Sequence, residues 1–118
     1  MRRRAHRTER VAEAIRHTVA TFLTGEVRDP RIGFVTVTGV RVSRDLSHAW
    51  VSVSVMSVPE EQERSLAGLD SASGYLKAQL AHELRLRVVP DLHFELDKGL
   101  AHAAHIDRLL KQIEEGKD

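Results

Sequence analysis

Near the start of the chain, apolar residues recur with the spacing of one face of an α-helix. They are Val11, Ile15, Val19, Phe22 and Leu23. This period predicts an amphipathic helix over residues 8–23, because residues three and four apart share a helical face. Thr8 is suited to cap the N-terminus of that helix, and Gly25 is suited to end it.

Two later segments alternate apolar and polar residues, which is the pattern of half-buried β-strands. In residues 34–43 the valines occupy odd positions before Gly39 and even positions after it. Val40 can therefore lie on the same face as Val37 only if the strand contains one extra residue. We therefore predict a β-bulge at Gly39. Residues 48–56 then form the second strand of a hairpin, with one apolar face and one face rich in serine. The apolar face carries Ala49, Val51, Val53 and Val55.

The longest helical pattern, which has Pro59 in its first turn and is ended by Pro90, is interrupted by residues that weaken helices. Its apolar stripe consists of Leu66, Leu69, Leu76, Leu80 and Leu84. Ala72-Ser73-Gly74 separates the two halves of that stripe, and a helical glycine costs about 1 kcal/mol relative to alanine. We predict a kink at this point, which gives a helix pair or a bent helix. Gly74→Val is accordingly expected to impair folding or binding by changing the geometry of this corner.

A third strand and a final helix complete the pattern. The strand has Leu92, Phe94 and Leu96 on one face, and the helix has Ile106, Leu109, Leu110 and Ile113. The element order is α-β-β-α-(kink)-α-β-α, an α+β domain with a three-stranded sheet covered by helices on one face. Because the third strand follows a helical crossover, one parallel pairing is predicted. We interpret residues 1–118 as a single domain, with a flexible basic N-terminus at 1–7 and a frayed C-terminus at 115–118.

Composition narrows the function classes. The 118 residues contain no cysteine, which excludes thiolate catalysis and cysteine-based zinc sites. No apolar stretch approaches the roughly 18 residues that a membrane span needs. The arginine-rich start is also not followed by the apolar core of a signal peptide. We therefore expect a soluble cytoplasmic protein with no membrane partner.

Charge is distributed unevenly along a chain whose formal net charge is only +1. Residues 2–31 carry eight arginines against four acidic residues, whereas residues 91–118 carry seven acidic residues against four basic ones. Clustered guanidinium groups make bidentate contacts with phosphates, so the arginines are candidate polyanion ligands. They are Arg2, Arg3, Arg4, Arg7 and Arg10, with Arg85 and Arg87 as an extension. The alternative for the N-terminal arginines is that they are only a basic tail. The alternative for Arg85 and Arg87 is that they only complement the dipole of a helix.

The sequence contains no recognisable enzyme motif. His102 and His105 share a helical face but lack a third ligand, which favours a solvated helix over a metal site. We expect neither a metal nor a cofactor. Trp50 is predicted on the open face of the sheet, where it could stack on a base, although an isolated ring more often packs under a loop or helix.

Four segments, taken in their order along the chain, resemble the ribosome-binding factor A family. Members of that family are bacterial assembly factors of the small ribosomal subunit. The segments are RVAEAIRHTVATFL, DPRIGFVTVTGVRVSRDLSHAWVSVSV, ASGYLKAQLAHELRLRVVPDLHFELD and HIDRLL. The resemblance covers nearly the whole chain and implies a type II KH-like fold. In that family an Ala-x-Gly kink replaces the Gly-x-x-Gly loop with which ordinary KH domains clamp single strands. Ala72-Ser73-Gly74 matches that kink.

The resemblance implies a non-enzymatic role in ribosome assembly. It implies binding to the immature small ribosomal subunit and its ribosomal RNA, and assistance in late maturation including processing of the 5′ end. It also implies a link to growth in the cold, and release by a GTPase or an initiation factor. We expect a monomer. The residues expected to meet phosphates are then Arg2, Arg3, Arg4, Arg7, Arg10, Arg28, Arg31, Lys77, Arg85 and Arg87.

Three other interpretations stay open from the sequence. The chain could be a protein-interaction domain whose basic end only aids solubility. It could be a general single-stranded RNA-binding KH module, which would bind short unstructured oligonucleotides tightly. The third is a metal-dependent enzyme built around His102 and His105, which would retain bound metal.

Overall fold

The structure, a computed structural model, describes residues 2–25, 29–85 and 87–97, with side chains from Arg7 onward. These ranges contain two α-helices and three β-strands. The elements are α1 (Arg2–Gly25), β1 (Val35–Val42), β2 (His48–Val55), α2 (Pro59–Leu84) and β3 (Asp91–Leu96). The predicted last helix, with His102 and His105, lies outside the described residues, and so does Arg28.

The three strands form one sheet in the order β1-β2-β3. β1 and β2 are antiparallel, whereas β2 and β3 are parallel, which confirms the mixed sheet that the helical crossover predicts. Val37 pairs with Val53 but Gly39 pairs with Ser52, so Thr38 is the extra residue of a bulge. The Thr38 hydroxyl donates to the Ser52 carbonyl at 3.2 Å. The predicted β-bulge next to Gly39 is therefore confirmed.

The core lies between one face of the sheet and the two helices. Its strand residues are those that the alternation places inward, and the register aligns them across the three strands: Val37, Val40, Ala49, Val51, Val53, Val55, Leu92 and Phe94. Its helix residues include Val11, Ile15, Val19, Leu69, Leu76 and Leu80. The α+β architecture with helices on one face of a three-stranded sheet is confirmed.

Helix α1 begins at Arg2, six residues before the predicted cap at Thr8. The added residues contain no glycine or proline, and arginine and alanine are among the best helix formers. The helix can therefore extend N-terminally beyond Val11, the first buried residue among its described side chains. The structure thus makes the arginine-rich start a helical extension of α1.

Helix α2 runs from Pro59 to Leu84 without a break, so of the two predicted alternatives the helix pair is wrong, and the bent helix stays a prediction. Leu69 and Leu76 are seven residues apart, which corresponds to about two turns of α-helix and keeps both on the buried face without a corner. Gly74 lies on the opposite side, where an added β-carbon would meet no atom within 4 Å. The Ser73 hydroxyl donates a hydrogen bond to the Asp70 carbonyl, one turn earlier in the same helix, at 2.7 Å.

The two helices are antiparallel, and this defines two ends of the domain. The Thr18 hydroxyl donates to the Glu83 carboxylate at 3.1 Å, and the rings of Phe22 and Tyr75 have centroids 5.9 Å apart. The start of α1 therefore lies toward the end of α2, beside the β1–β2 turn and the start of β3. We call this the turn end. The opposite end, where β1 and α2 begin and β2 finishes, is called the loop end.

Candidate nucleic-acid interface

Exposed arginines from two distant parts of the sequence lie at the turn end. Arg7 lies one turn before Val11, the first buried residue among the described side chains of α1, and Arg10 is exposed as well. Arg85 ends α2 in a left-handed conformation with φ of 51°, and Arg87 follows in the exposed connection to β3. None of the four forms an ion pair with another residue in the described part of the chain.

The β1–β2 turn adds Arg44, which is exposed at the same end and was missed by the sequence interpretation. The turn is organised by Asp45, whose carboxylate accepts from the Ser43 hydroxyl at 2.7 Å and from the amide and hydroxyl of Ser47 at 3.0 and 2.7 Å. The Ser47 and Ser43 hydrogen bonds lower the pKa of Asp45. Only the topology places Arg44 near the start of α1, since nothing local in the turn distinguishes it from any surface arginine.

Arg2, Arg3 and Arg4 share α1 with this group, and their backbone belongs to the helical extension at the turn end. Five of the ten predicted phosphate ligands therefore belong to one helix. Thr18 of that helix is hydrogen-bonded to Glu83 near the end of α2, while the phosphate-binding role of Arg85 and Arg87 stays a prediction.

Arg31 lies elsewhere, at the loop end, and its guanidinium is already occupied. Nε donates to both carboxylate oxygens of Asp29 at 3.0 and 3.1 Å, and Nη2 donates to Asp29 at 2.6 Å and to the Ser71 hydroxyl at 3.0 Å. Hydrogen bonds from Arg31 lower the pKa of Asp29 to about 2. The contacts join the loop after α1 to helix α2, so Arg31 stabilises the fold.

Lys77 is also engaged, through an ion pair with a residue at the turn end. Its Nζ lies 2.5 Å from a carboxylate oxygen of Asp91, the first residue of β3. This hydrogen bond is the main cause of the lowered pKa of Asp91. The pair joins α2 to the edge strand, which leaves Lys77 less available to a phosphate than the arginines of the turn end.

The residues around the predicted kink form a docking surface for the loop that contains Arg31. The Ser65 hydroxyl accepts from the Gly33 amide at 3.2 Å and donates to the Arg31 carbonyl at 3.1 Å. Gly68, one turn further along α2, lies against Ile32. Small residues in this half of α2 thus allow the close approach of a loop.

The open face of the sheet carries a layer of rings that the sequence interpretation did not find. The Arg41 guanidinium lies 4.8 Å from the centroid of the Trp50 ring, and His93 stacks on Trp50 at 5.8 Å with an angle of 27°. His48 adds a 3.0 Å contact from its Nδ1 to Nε2 of His93. Trp50 therefore packs between Arg41 of β1 and His93 of β3.

Residues 2–25, 29–85 and 87–97 contain neither a candidate metal site nor a candidate membrane span. No group of three or more side chains there has a geometry that could hold a metal ion. No helix in the same ranges is long and apolar enough to cross a membrane.

A mixed three-stranded sheet with its helices on one face is the architecture of type II KH-like domains. The family model for ribosome-binding factor A matches residues 7–110. The chain belongs to the ribosome-binding factor A family. It is 45% identical over 111 residues to ribosome-binding factor A of Thermomicrobium roseum, which covers 94% of this chain and 86% of that protein. It is 48% identical over 113 residues to the Gemmatimonas aurantiaca protein, covering 95% and 77%.

Solved structures agree with this assignment. The crystal structure of ribosome-binding factor A from Thermus thermophilus has a TM-score of 0.63 and 29% identity, covering 75% of this chain and 94% of that one. A homology model of the Thermus thermophilus factor, fitted into the cryo-EM map of a 30S–RbfA complex, has a TM-score of 0.57. It is 31% identical and covers 71% of this chain and 88% of that one.

Proposed function

We propose that this protein is a non-enzymatic ribosome assembly factor that binds the immature small ribosomal subunit and its ribosomal RNA. The proposal rests on the match of nearly the whole chain to ribosome-binding factor A proteins. A Thermus thermophilus relative has been fitted into the map of a 30S–RbfA complex, which supports the small subunit as the partner. We treat the chain as a single KH-like domain that acts as a monomer in the cytoplasm.

The turn end is the surface that we assign to ribosomal RNA. It joins the exposed arginines Arg7, Arg10, Arg44, Arg85 and Arg87 with the start of α1, which carries Arg2, Arg3 and Arg4. Guanidinium groups without a carboxylate partner are free to bind phosphates and to release their counterions. Such contacts position a protein on RNA, whereas selectivity comes from the shape of the folded RNA.

We further propose that the folded subunit, and not a free single strand, is the target. Ordinary KH domains hold single strands with a Gly-x-x-Gly loop between two helices. Here the corresponding segment, Ala72-Ser73-Gly74, is part of the continuous helix α2, and its nearest preceding glycine is Gly68. A helix in this position offers no loop that could wrap around a backbone.

The finer steps follow from the family resemblance. We propose that the protein assists late maturation of the subunit, including processing of the 5′ end of its RNA, and supports growth in the cold. A GTPase or an initiation factor would then release it before translation.

The function is tested by co-sedimentation with purified small subunits over a series of salt concentrations. We expect the wild-type protein to sediment with free small subunits and not with assembled ribosomes. Arg85→Ala with Arg87→Ala should weaken binding and reduce the slope of log affinity against log salt by about 1.5, for two lost phosphate contacts. Absence of wild-type sedimentation with small subunits would contradict the proposed function.

The matched control removes two cations that already have carboxylate partners. Arg31→Ala with Lys77→Ala should leave the salt slope close to that of the wild type, because Asp29 and Asp91 already neutralise these side chains. Equal slopes for the two double variants would show that the turn end is not the RNA-binding surface.

A further inference from the structure

The loop end presents two large apolar side chains that the fold leaves uncovered. Phe34 is 85% exposed and Met56 is 83% exposed, the highest values among the large apolar residues of the described chain. The Met56 amide donates to the Phe34 carbonyl at 3.3 Å, so the two residues are held side by side where β1 begins and β2 ends. Val58, two residues further, is also more than half exposed. Neighbouring exposed apolar residues of this kind mark interaction sites more often than isolated ones do.

A cleft of about 260 Å³ opens at the base of these side chains. One wall is the loop around Gly33, and the other is the first turns of α2 with Arg64 and Ser65. The hydrogen bonds of Ser65 to Gly33 and Arg31 fasten the two walls together. The cleft therefore exists before any partner arrives, which lowers the entropic cost of filling it.

The cleft is lined by Glu61, Arg64 and Arg31, and Arg31 is paired with Asp29, but the helix surface beside the cleft is acidic. The first two turns of α2 expose Glu60, Glu61 and Glu63, with Arg64 as the adjacent cation. Asp97, at the end of β3, adds another acidic residue at the loop end, since its amide donates to the Val53 carbonyl at 2.7 Å. An excess of carboxylates repels a phosphate backbone and attracts a basic surface.

We infer that the loop end, defined by Phe34, Met56, Val58 and the acidic first turns of α2, docks a basic protein surface that inserts an apolar side chain into the cleft. This inference rests on the proposed function, because the partner would be a protein component of the small subunit. Apolar anchors in a preformed pocket supply affinity, and surrounding opposite charges supply orientation. The domain then binds RNA at the turn end and a protein at the loop end.

The test compares two purified probes, intact small subunits and deproteinised small-subunit ribosomal RNA. Phe34→Ser combined with Met56→Ser should weaken binding to intact subunits at least about tenfold, while binding to deproteinised RNA stays at the wild-type level. The fold should be unaffected because both side chains are exposed. The matched control is Val88→Ser, which removes another exposed apolar side chain at the turn end. It should leave the ratio of the two affinities unchanged.

Two results would overturn the inference while leaving the proposed function intact. Unchanged binding to subunits would show that the surface is unused, and an equal loss with both probes would show that Phe34 contacts RNA. Charge reversal provides an independent arm, since Glu60→Lys with Glu63→Lys should weaken binding to intact subunits relative to deproteinised RNA, to which added lysines favour binding. A photoreactive benzoylphenylalanine at position 34 should give a crosslinked product whose size ribonuclease leaves unchanged, and a product that ribonuclease shortens would overturn the inference. If the wild-type protein fails to bind subunits at all, the proposed function fails and the inference fails with it.

Discussion

Gly68 of α2 lies so close to Ile32 that a β-carbon at position 68 would come within 2.6 Å of the Ile32 Cγ1 atom. The same β-carbon would lie 3.3 Å from a carboxylate oxygen of Asp29. A buried glycine in the middle of a helix costs about 1 kcal/mol relative to alanine. Here that cost is offset by the loop that packs in its place, through Ile32, the Asp29–Arg31 pair and the hydrogen bonds of Ser65.

The two glycines of α2 should therefore respond to alanine in opposite directions. Gly68→Ala should lower the free energy of unfolding by about 1–3 kcal/mol, because the added methyl group must displace the docked loop. Gly74→Ala should raise it by about 0.5–1 kcal/mol, because position 74 is open and helical. Urea denaturation of both variants against the wild type measures the two changes. A stabilised Gly68→Ala variant would contradict the close contact with Ile32.

The surroundings of Gly74 also change the expectation for Gly74→Val. The sequence interpretation expects harm through a corner, but the helix continues through this position and its glycine has no positive φ. Valine is a better helix former than glycine, so the steric reason for harm is removed. A contact of this surface with RNA is then the remaining way in which the variant could lose function.

The Asp29–Arg31 pair should make stability depend on pH in the acid range. Hydrogen bonds from Arg31 lower the pKa of Asp29 from 3.8 to about 2 in the folded protein. A depressed folded pKa contributes stability that is fully present above the unfolded pKa and is lost as pH falls toward the folded one. The free energy of unfolding of Asp29→Asn should therefore lie below that of the wild type at pH 6. This difference should shrink between about pH 4 and pH 2, as denaturant titrations at each pH would show.

The control for that experiment is Asp70→Asn, an exposed carboxylate of α2 that forms no ion pair with any other described residue. It should show no comparable change with pH. A constant difference between Asp29→Asn and the wild type down to pH 2 would argue against the ion pair as the cause.

Much of the fold was predictable because its signals are local. The alternation around Val37 and Val53 reports directly which side chains face the core, and the shift at Gly39 reports the bulge. What failed depends on contacts between distant residues. Gly68 looks like a helix breaker until Ile32, 36 positions earlier, is placed against it. No local pattern announces such a contact.

The candidate interface shows the same division. Sequence identifies a guanidinium group, but it does not show whether a carboxylate already occupies it. Arg31 and Arg85 are therefore equivalent in the sequence, whereas the structure pairs the first with Asp29 and leaves the second exposed. Arg44 joined the candidates only when strand pairing placed the β1–β2 turn at the same end of the domain as the end of α2.

Trp50, the single tryptophan of the chain, should report whether the open sheet face binds RNA bases. Arg41 and His93 approach its ring from the two flanking strands, so a base cannot stack on it without displacing one of them. We expect saturating deproteinised small-subunit RNA to leave Trp50 fluorescence nearly unchanged. His93→Ala should uncover one side of the ring and shift its emission to longer wavelength, whereas Glu95→Ala, a change on the same strand that leaves the Trp50 contacts in place, should not. Strong quenching of the wild-type protein by RNA would instead show that bases reach this face and that the ring layer opens to receive them.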